Sequence, residues 1–387
     1  MSYKKTTIGA HCSVTSSKRF HASERTKEGV PFYCSKEIIQ KVKGEDVTEC
    51  DYISEDAYKS VKEKYGVPQV GDLLITTRGT YGVPYIYKDY DKFYFADGNL
   101  TWLKDFDDEL DVEYLYYWIN SYEGQKKIDA IAKGTAQKAV PIATLKQIEI
   151  EIPDISTQKK VVCILKAYDD LIENNQKQIK LLEEAAQRLY KEWFVDLRFP
   201  GYEDTEIVDG VPEGWKKHHI DDVFHIKYGK TLPTSKITKE GKYPVYGANG
   251  VIGFYLEKNV DDYVVLITSR GNGSGDVLRT HDKESFVTNN SFIVKPYDHS
   301  IRLPFIHQLM KNTDFKNICT GSAQPQLTNN SISTLLVLLP SCELISQFCD
   351  IESSWYEKIE MLLTQNRLLS QARDRLLPKL MSGEIEV

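Results

Sequence analysis

The chain repeats itself at long range. The loop GTAQKAV at residues 134–140 returns as GSAQPQL at residues 321–327, later by nearly half of the 387-residue chain. Each loop is followed by a short run that ends at a proline, LKQIEIEIP at Pro153 and ISTLLVLLP at Pro340. An internal repeat this long exceeds the period of a solenoid, so it predicts two copies of one domain.

The segments before each loop repeat as well. LLITTRG at Leu73–Gly79 matches VLITSRG at Val265–Gly271, and ADGNLTWLK matches VTNNSFIVK, which places Asn99 opposite Asn290. The spacings of these pairs differ from that of the loops by only a few residues. The two copies therefore share a framework with small insertions.

The repeated segments have the texture of an α+β domain. Short runs rich in Ile, Val, Tyr, Phe and Thr end at Gly or Asn, which is typical of strands with tight turns. One helix is expected in each copy, VEYLYYWINSYEGQKKIDAIA in the first and LPFIHQLMKNTDFKNIC in the second.

A heptad pattern follows each copy and predicts a long helix, the first about 50 Å long. Ser156 and Ser341 are the expected helix caps. The first seam consists of Val161, Leu165, Tyr168, Ile172, Asn175, Ile179, Leu182, Ala186, Leu189 and Trp193. The second is less strict and consists of Trp355, Ile359, Leu362, Asn366, Leu369, Leu376 and Leu380.

Each heptad helix could pack on its own domain alone. Two such helices, one after each copy, favour an antiparallel coiled coil that separates two similar globular domains with internal pseudo-twofold symmetry. Asn175 and Asn366 would then fix the register of the seam. The predicted segments are domain 1 (1–152), spacer helix 1 (153–198), domain 2 (199–340), and spacer helix 2 with a C-terminal tail (341–387).

The charge balance limits how the chain could bind nucleic acid. The net charge is −7, and residues 207–340 are the only large segment in which basic side chains outnumber acidic ones. A DNA-binding role must therefore rest on local basic loops or on a basic partner.

The chain is expected to be cytoplasmic, with no membrane partner. No apolar run approaches the roughly 20 residues that span a membrane, and MSYKKTTIGAHC lacks the apolar core of a signal peptide. Seven cysteines without metal-ligand spacing indicate reduced thiols.

Several stretches together resemble the specificity subunit of a type I restriction-modification system. They cover most of the chain, in order: GVPFYCSKEI, GDLLITTRGTYG, the repeated Gly-Thr/Ser-Ala-Gln loop, KEWFVDLRFPGYE, VPEGWKKHHIDDV, YPVYGANGVIGFY and LLPKLMSGEIEV. The resemblance implies two target-recognition domains joined by two antiparallel helices, which bind a bipartite, asymmetric site on double-stranded DNA with a non-specific spacer.

The same resemblance implies the partners. Two adenine methyltransferase subunits would dock on the helices, and restriction and translocase subunits would join them. S-adenosylmethionine, ATP and magnesium would be bound by those partners, with no cofactor in this chain.

Motifs of catalysis are missing from the sequence. No Pro-Pro pair is present, although an adenine methyltransferase needs Asn/Asp-Pro-Pro-aromatic. Gly229-Lys230 has Phe224 where a P-loop has its first glycine, and RGNGSG is not a dinucleotide fingerprint. His218 and His219 have no partner at metal-ligand spacing. The chain is therefore predicted to be non-catalytic and without a metal site.

The candidate DNA contacts fall into a shared and a variable set. Arg78 and Arg270 occupy equivalent places before a glycine, where arginine can bind phosphate or guanine, or can brace the turn through backbone carbonyls. Gln137 and Gln324 recur in both loops, which favours a structural or phosphate-contact role. Base reading is expected where the copies differ, at Lys18, Arg19, Tyr81, Lys133 and Lys138 in the first domain and at Lys230, Tyr246, Asn249 and Asn272 in the second.

Three other functions remain open from the sequence. The chain could be a DNA-modifying enzyme, a coiled-coil scaffold that binds only proteins, or a glycan-binding module with aromatic and Asn-rich loops. Salt-sensitive, sequence-dependent DNA binding separates the preferred function from the last two.

Overall fold

A computed structural model describes residues 3–134, 138–321 and 325–387. The chain divides into two compact units. Unit 1 comprises Met1–Gln176 and Gln365–Val387, and unit 2 comprises Lys177–Thr364. Each unit therefore combines a globular part with a portion of both long helices.

The first globular part mixes short strands and helices, and a long helix follows it. The strands are β1 (Lys4–Thr7), β2 (Ser13–Thr15), β3 (Val30–Tyr33), β4 (Asp51–Ile53), β5 (Leu73–Thr76), β6 (Pro84–Ile86), β7 (Tyr94–Phe95), β8 (Leu100–Lys104) and β9 (Glu149–Ile152). The helices are α1 (Ile8–His11), α2 (Ser35–Val42), α3 (Glu55–Lys64), α4 (Val112–Asn120), α5 (Tyr122–Ile131), α6 (Ile142–Lys146) and the long α7 (Ile155–Tyr190).

The second globular part has a similar set of short strands and helices, and a long helix again follows it. Its strands are β10 (Ile207–Val208), β11 (Val211–Pro212), β12 (Lys216–His219), β13 (Phe224–Tyr228), β14 (Tyr243–Gly247), β15 (Gly250–Tyr255), β16 (Val265–Thr268), β17 (Val277–Arg279), β18 (Phe286–Val287), β19 (Ser291–Pro296) and β20 (Leu336–Leu339). Its helices are α8 (Ile220–Val223), α9 (Leu303–Lys311) and α10 (Asn329–Ser333), followed by the long α11 (Cys342–Ser382).

The two units have the same sheet topology. In unit 1 the strand orders are β2-β8-β5-β6, β4-β3-β7 and β1-β9, and the corresponding orders in unit 2 are β13-β19-β16-β17, β15-β14-β18 and β12-β20. Unit 2 also contains the β10-β11 pair, which has no counterpart among these sheets of unit 1. Leu73 faces Leu103 in unit 1, and Val265 faces Val294 in the matching register of unit 2. The predicted α+β class with a duplicated domain is confirmed.

The prediction of a single helix in the first copy is wrong in detail. The segment forms two helices, α4 and α5, that meet at Ser121, whose Oγ accepts a hydrogen bond from the Gly124 N–H at 3.1 Å. A Cβ on Gly124 would lie 2.1 Å from the Trp118 carbonyl oxygen, so only glycine permits this close turn. In the second copy α9 ends at Lys311, and a separate 3-10 turn covers Lys316–Ile318.

The caps of the long helices correct one prediction. Asp154, rather than Ser156, caps α7: its Oδ1 accepts from the Thr157 N–H at 3.0 Å and its Oδ2 from the Thr157 hydroxyl at 2.8 Å. Ser341 caps α11 through its Oγ, which accepts from the Leu344 N–H at 3.3 Å. Both side chains satisfy a backbone N–H that has no partner within its helix.

The long helices pack against each other in antiparallel fashion within each unit. In unit 1, the Asn175 amide donates to Asn366 Oδ1 at 2.8 Å and to Gln365 Oε1 at 3.2 Å. One end of this segment has Asp169 paired with Arg373. Asn175 is 4% exposed, so its polar group is buried and paired, as a register-fixing residue requires.

The other predicted seam residues line the helices with varied burial. Ile359 and Leu362 are buried, each 2% exposed. Trp355 is half-buried, and its neighbour Tyr356 is the more buried residue. Half-buried positions are Ile172, Ile179, Leu182, Leu189, Asn366 and Leu369. The seam residues remain predictions as register determinants.

The globular part of unit 2 holds α11 through an aromatic core. The Phe348 ring centroid lies 5.1 Å from that of Phe194 and 5.9 Å from that of Trp193. Phe305, on α9, is 5.2 Å from Phe194. The helix ends are therefore part of the domain core as well as of the coiled coil.

A buried carboxyl-amide pair joins α9 to α11. Gln308 Nε2 donates to Glu352 Oε1 at 2.9 Å, and both side chains are at most 2% exposed. Gln308 Oε1 and Glu352 Oε2 have no hydrogen-bond partner among the described residues. A buried carboxylate without further partners is costly, so this environment favours the neutral, protonated form of Glu352. Burial raises the pKa of Glu352 to about 7, although the hydrogen bond from Gln308 and the charge of Arg279 lower it.

We expect Glu352→Gln to stabilise unit 2 at pH 8 by roughly 1–3 kcal/mol. In the folded protein the pKa of Glu352 lies above the 4.5 of an exposed glutamate. The stabilising contribution of the protonated Glu352 side chain is therefore complete below pH 4.5 and is lost as the pH rises through about 7. Urea unfolding from pH 4 to pH 8 measures this effect. Glu357→Gln, an exposed position on the same helix, is the control. Equal pH profiles for the wild type and Glu352→Gln would contradict the assignment.

No helix within the described ranges combines the length and the apolarity needed to cross a bilayer.

Candidate nucleic-acid interface

An arginine-glycine turn follows the equivalent strands β5 and β16. Gly79 and Gly271 have φ values of 73° and 89°. This left-handed region is costly for residues with a Cβ, and glycine adopts it freely. A Cβ at either position would meet no atom within 4 Å, so the backbone angle, and not crowding, requires the glycine. The turn leaves Arg78 and Arg270 exposed.

The repeated Gly-Thr/Ser-Ala-Gln loop lies beside this turn in both units. Its ends are paired by two backbone hydrogen bonds, between Lys133 and Ala139 at 2.8 and 2.9 Å, and between Thr320 and Gln326 at 2.8 and 2.9 Å. Arg78 forms a β-bridge with Ala139. In unit 2, Arg270 forms the same bridge with Gln326. The framework that repeats in sequence therefore builds one loop pair twice.

Gln137 and Gln324 lie outside the described residues. Their predicted structural or phosphate-contact role remains a prediction.

The cations around the loop pair have no acidic partners among the described residues. Among the described residues, no carboxylate forms an ion pair with Arg78 or Arg270, and no side-chain hydrogen bond braces either turn through its guanidinium. Lys133 and Lys138 are likewise exposed and unpaired within the described ranges. Unpaired guanidinium and ammonium groups on turns are suited to the phosphate oxygens of a nucleic acid.

A third segment adjoins each turn. The Thr77 N–H donates to the Asn99 carbonyl at 2.7 Å, and the Ser269 N–H donates to the Asn290 carbonyl at 2.8 Å. These are the asparagines that the repeat places opposite each other. The framework role of this segment is thus carried by its backbone.

Lys18 and Lys230 occupy equivalent positions in the two units. The alignment of the two sequence copies did not reveal this correspondence. Thr15 pairs with Trp102 in unit 1, and Lys227 pairs with Ile293 in the matching register of unit 2. Each lysine follows three residues later and is exposed. The N-terminal segments share too little sequence for alignment, so the strand register alone shows the correspondence.

The surroundings of the two lysines differ. In unit 1, Lys18 and Arg19 line an open groove of about 860 Å³. The Lys18 Nζ lies 5.9 Å from the centroid of the Tyr65 ring, and Arg19 Nε donates to Asp97 Oδ2 at 2.7 Å. The arginine charge is therefore partly neutralised, whereas that of Lys18 is available to a ligand.

In unit 2 the hairpin turn between β14 and β15 adjoins the arginine-glycine turn. Thr268 Oγ1 donates to the Ala248 carbonyl at 2.7 Å. Asn249 Oδ1 lies 3.4 Å from the point that a Cβ on Gly273 would occupy. Asn249 and Asn272 are both exposed. These amides therefore lie on neighbouring turns next to Arg270.

Two tyrosines predicted to read bases are engaged elsewhere. Tyr246 is 2% exposed, and its hydroxyl accepts from the His281 N–H at 2.8 Å. Burial raises its pKa. Its ring belongs to the core, so its prediction as a DNA contact is wrong. Tyr81 is half-buried, and its hydroxyl donates to Asp129 Oδ1 at 2.9 Å, which ties it to α5.

Sequence reasoning also missed the connection that follows β3 and β14. In unit 1, Ser35 at the start of α2 donates to the Arg78 and Asn99 carbonyls at 3.3 and 3.1 Å. In unit 2, exposed Val251 and Ile252 follow the hairpin turn. The stretches YCSKEI and ANGVIG carried the signal, but their proximity to the arginines depends on strand pairing.

The site has the chemistry of a binding surface. Among the described residues, no group of three or more His, Cys, Asp or Glu side chains could hold a metal ion. Each unit offers a pair of turns whose cations have no acidic partner among the described residues, and unit 2 adds the neighbouring amides of Asn249 and Asn272. Such groups can bind an anionic polymer and hydrogen-bond base edges.

A duplicated α+β unit that carries such a surface twice defines a two-site nucleic-acid-binding protein. Residues 3–184 and 212–351 match the family model of the type I restriction modification DNA specificity domain. These residues are most of the chain, which therefore belongs to this family.

Individual relatives agree. The chain is 27% identical over 306 residues to the type I restriction enzyme MjaIX specificity subunit of Methanocaldococcus jannaschii, a match that covers 71% of this chain and 69% of that protein. The crystal structure of the type I restriction-modification system S subunit from M. genitalium has the same fold, with a TM-score of 0.59 at 21% identity over 98% of this chain and 96% of the other.

Proposed function

We propose that this chain is the DNA sequence-recognition subunit of a type I restriction-modification complex. Each unit contacts one half of a bipartite, asymmetric site on double-stranded DNA. The chain is non-catalytic, and methylation and cleavage are performed by partner subunits. The observation that carries the proposal is the loop pair, built by both units from the same framework, with an exposed arginine that has no acidic partner in the described part of the chain.

The long helices supply the second part of the proposal. We infer that α7 and α11 dock two adenine methyltransferase subunits, which restriction and translocase subunits then join. S-adenosylmethionine, ATP and magnesium are bound by these partners. The target and the partners place the chain in the cytoplasm.

The difference between the units supports an asymmetric target. Both units share the arginine-glycine turn and the Gly-Thr/Ser-Ala-Gln loop, whereas the connection after β3 is helical and that after β14 is a tight hairpin. A common framework would fix the backbone of each half-site, and different neighbours would read different bases.

The test is co-expression with the methyltransferase subunit of the same system, followed by mapping of methylated adenines. We expect methylation at one split, asymmetric motif. Arg78→Ala and Arg270→Ala should each weaken binding of the complex to this site by roughly 10- to 100-fold, since one arginine contact contributes about 1–3 kcal/mol. A phosphate contact would also reduce the slope of log affinity against log salt by about 1.

Arg302→Ala is the control, because this arginine is paired with Asp350 on α11 and is not part of the loop pair. Its binding and salt slope should match the wild type. A well-folded, stably associated complex that shows no new methylation would reject the DNA-recognition function and favour a protein-binding coiled-coil scaffold.

A further inference from the structure

We propose that the tip of the β14–β15 hairpin, formed by Asn249, Val251 and Ile252, reads an A·T base pair in the half-site of unit 2. The inference rests on the proposed function, and it assigns part of the base reading to residues whose role was open or unrecognised. Asn249 would hydrogen-bond the adenine edge, and the two aliphatic side chains would contact the thymine methyl group in the major groove.

The position of the hairpin tip favours a contact with the bound nucleic acid. The hairpin tip adjoins the arginine-glycine turn of unit 2, because Thr268 Oγ1 holds the Ala248 carbonyl at 2.7 Å and Ser291 Oγ donates to the Gly247 carbonyl at 3.2 Å. Arg270, two residues beyond Thr268, is exposed and unpaired among the described residues. A nucleic acid held by this arginine would meet the hairpin tip next.

Two β-branched side chains are exposed beside the turn. Val251 is 49% exposed and Ile252 is 46% exposed. The pairing shifts between Val245 and Tyr246, so that Val251 faces Tyr246 while Gly253 faces Val245, and Ile252 is the extra residue of a β-bulge. A bulge re-aims side chains and recurs near functional sites.

Ile252 packs against the backbone of Gly247. A Cβ on Gly247 would lie 3.0 Å from Ile252 Cγ2 and 3.1 Å from Cδ1. The isoleucine thus covers the glycine backbone and is held in place without being buried. A stiff aliphatic group at a hairpin tip offers a fixed apolar contact, which a thymine methyl group can use.

Unit 1 has a different connection at the place equivalent to this hairpin tip. Tyr33 and Tyr246 occupy equivalent register positions, since they pair with Phe95 and Val287 respectively. In unit 1, α2 follows Tyr33 and its Ser35 contacts the Arg78 carbonyl. The same place beside the arginine turn is therefore filled by different structures, as expected of a specificity element on a shared framework.

The experiment uses the complete methyltransferase complex and a duplex carrying its mapped motif. Thymine in the unit 2 half-site is replaced by uracil, which lacks only the methyl group, and binding is measured for the wild type and for Ile252→Ser with Val251→Ser. We expect uracil to weaken wild-type binding by roughly 10-fold and to weaken binding of the variant little further, because the variant has already lost the contact.

Methylation mapping gives a second measurement. Asn249→Ala and the double variant should tolerate other base pairs at one or two positions of the unit 2 half, with the unit 1 half unchanged. Val251 and Ile252 are 49% and 46% exposed, so the two serine substitutions should leave the fold intact. Leu256→Ala is the control, since Leu256 is 77% exposed and lies just beyond the other end of β15.

Each outcome is decisive. An unchanged motif in all hairpin variants, or the same uracil effect in wild type and variant, would overturn the inference while leaving DNA recognition intact. Loss of complex assembly in the soluble variants would assign the tip to a partner subunit instead and would equally overturn it. The absence of any methylation by the wild-type complex would reject the proposed function itself.

Discussion

Phe348→Ala is expected to lower the free energy of unfolding of unit 2 by about 3–5 kcal/mol. Phe348 is fully buried on α11, and its ring is surrounded by the rings of Tyr190, Trp193, Phe194 and Phe305. Truncation removes the transfer free energy of the ring and leaves a cavity between rigid aromatic neighbours, which relax only partly.

Urea unfolding of the full chain, followed by tryptophan fluorescence, measures this loss. Trp193 lies 5.9 Å from Phe348, so its emission reports the affected core. Leu181→Ala is the control, because Leu181 is 64% exposed on α7 and its truncation should cost under about 0.5 kcal/mol. A loss below about 1 kcal/mol for Phe348→Ala would show that the aromatic cluster does not hold α11 on the globular part.

The functional consequence follows from the shared core. Residues of α7 and α11 complete the same cluster as the strands that carry Arg270. The frame for the second loop pair is therefore not independent of the helices. In the proposed complex, Phe348→Ala should abolish recognition by unit 2 at temperatures where the wild type is still folded.

The second large effect is expected for Arg279→Ala, at about 3–5 kcal/mol. The Arg279 side chain is 4% exposed, pairs with Glu360 and lies 4.2 Å from the centroid of the Tyr356 ring. His281 Nδ1 contacts the same Glu360 oxygen at 2.9 Å. Burial raises the pKa of Glu360, but the hydrogen bond with His281 and the charge of Arg279 outweigh this effect, so that its pKa lies below the usual range.

Removal of the guanidinium would leave a half-buried carboxylate without its main counter-charge. The pKa of Glu360 should then rise, and the destabilisation should be larger at pH 7 than at pH 4, where the carboxyl group can be protonated. Thermal unfolding of the variant at both pH values measures the difference.

Arg302→Ala provides the matched comparison for Arg279→Ala. Arg302 also pairs with a carboxylate of α11, Asp350, but the two side chains are 36% and 66% exposed. Solvent screens such a pair, and its loss should cost no more than about 1 kcal/mol. Equal losses for the two arginines would contradict the role assigned to burial.

The repeat and the heptads were sufficient to predict the α+β class, the duplication and the long helices. The heptad spacing predicts the long helices, because apolar residues at steps of three and four share one face only in a helix. The positions of the shared arginines could also be predicted from the sequence. Arg78 and Arg270 lie within repeated segments, each next to a glycine whose positive φ is costly for other residues.

The tertiary structure decided which variable residues belong to the site. Tyr246 looked like its neighbour Asn249 in the sequence, yet strand pairing buries the first and exposes the second. Lys18 and Lys230 share no alignable surroundings, and only register makes them equivalent.

The break between α4 and α5, and the cap at Asp154, likewise depended on contacts of single atoms that periodicity does not encode. Local pattern and spacing determine elements of secondary structure. The side chains that meet beside a turn are determined by pairings between residues far apart in the chain, whose energies no local window contains.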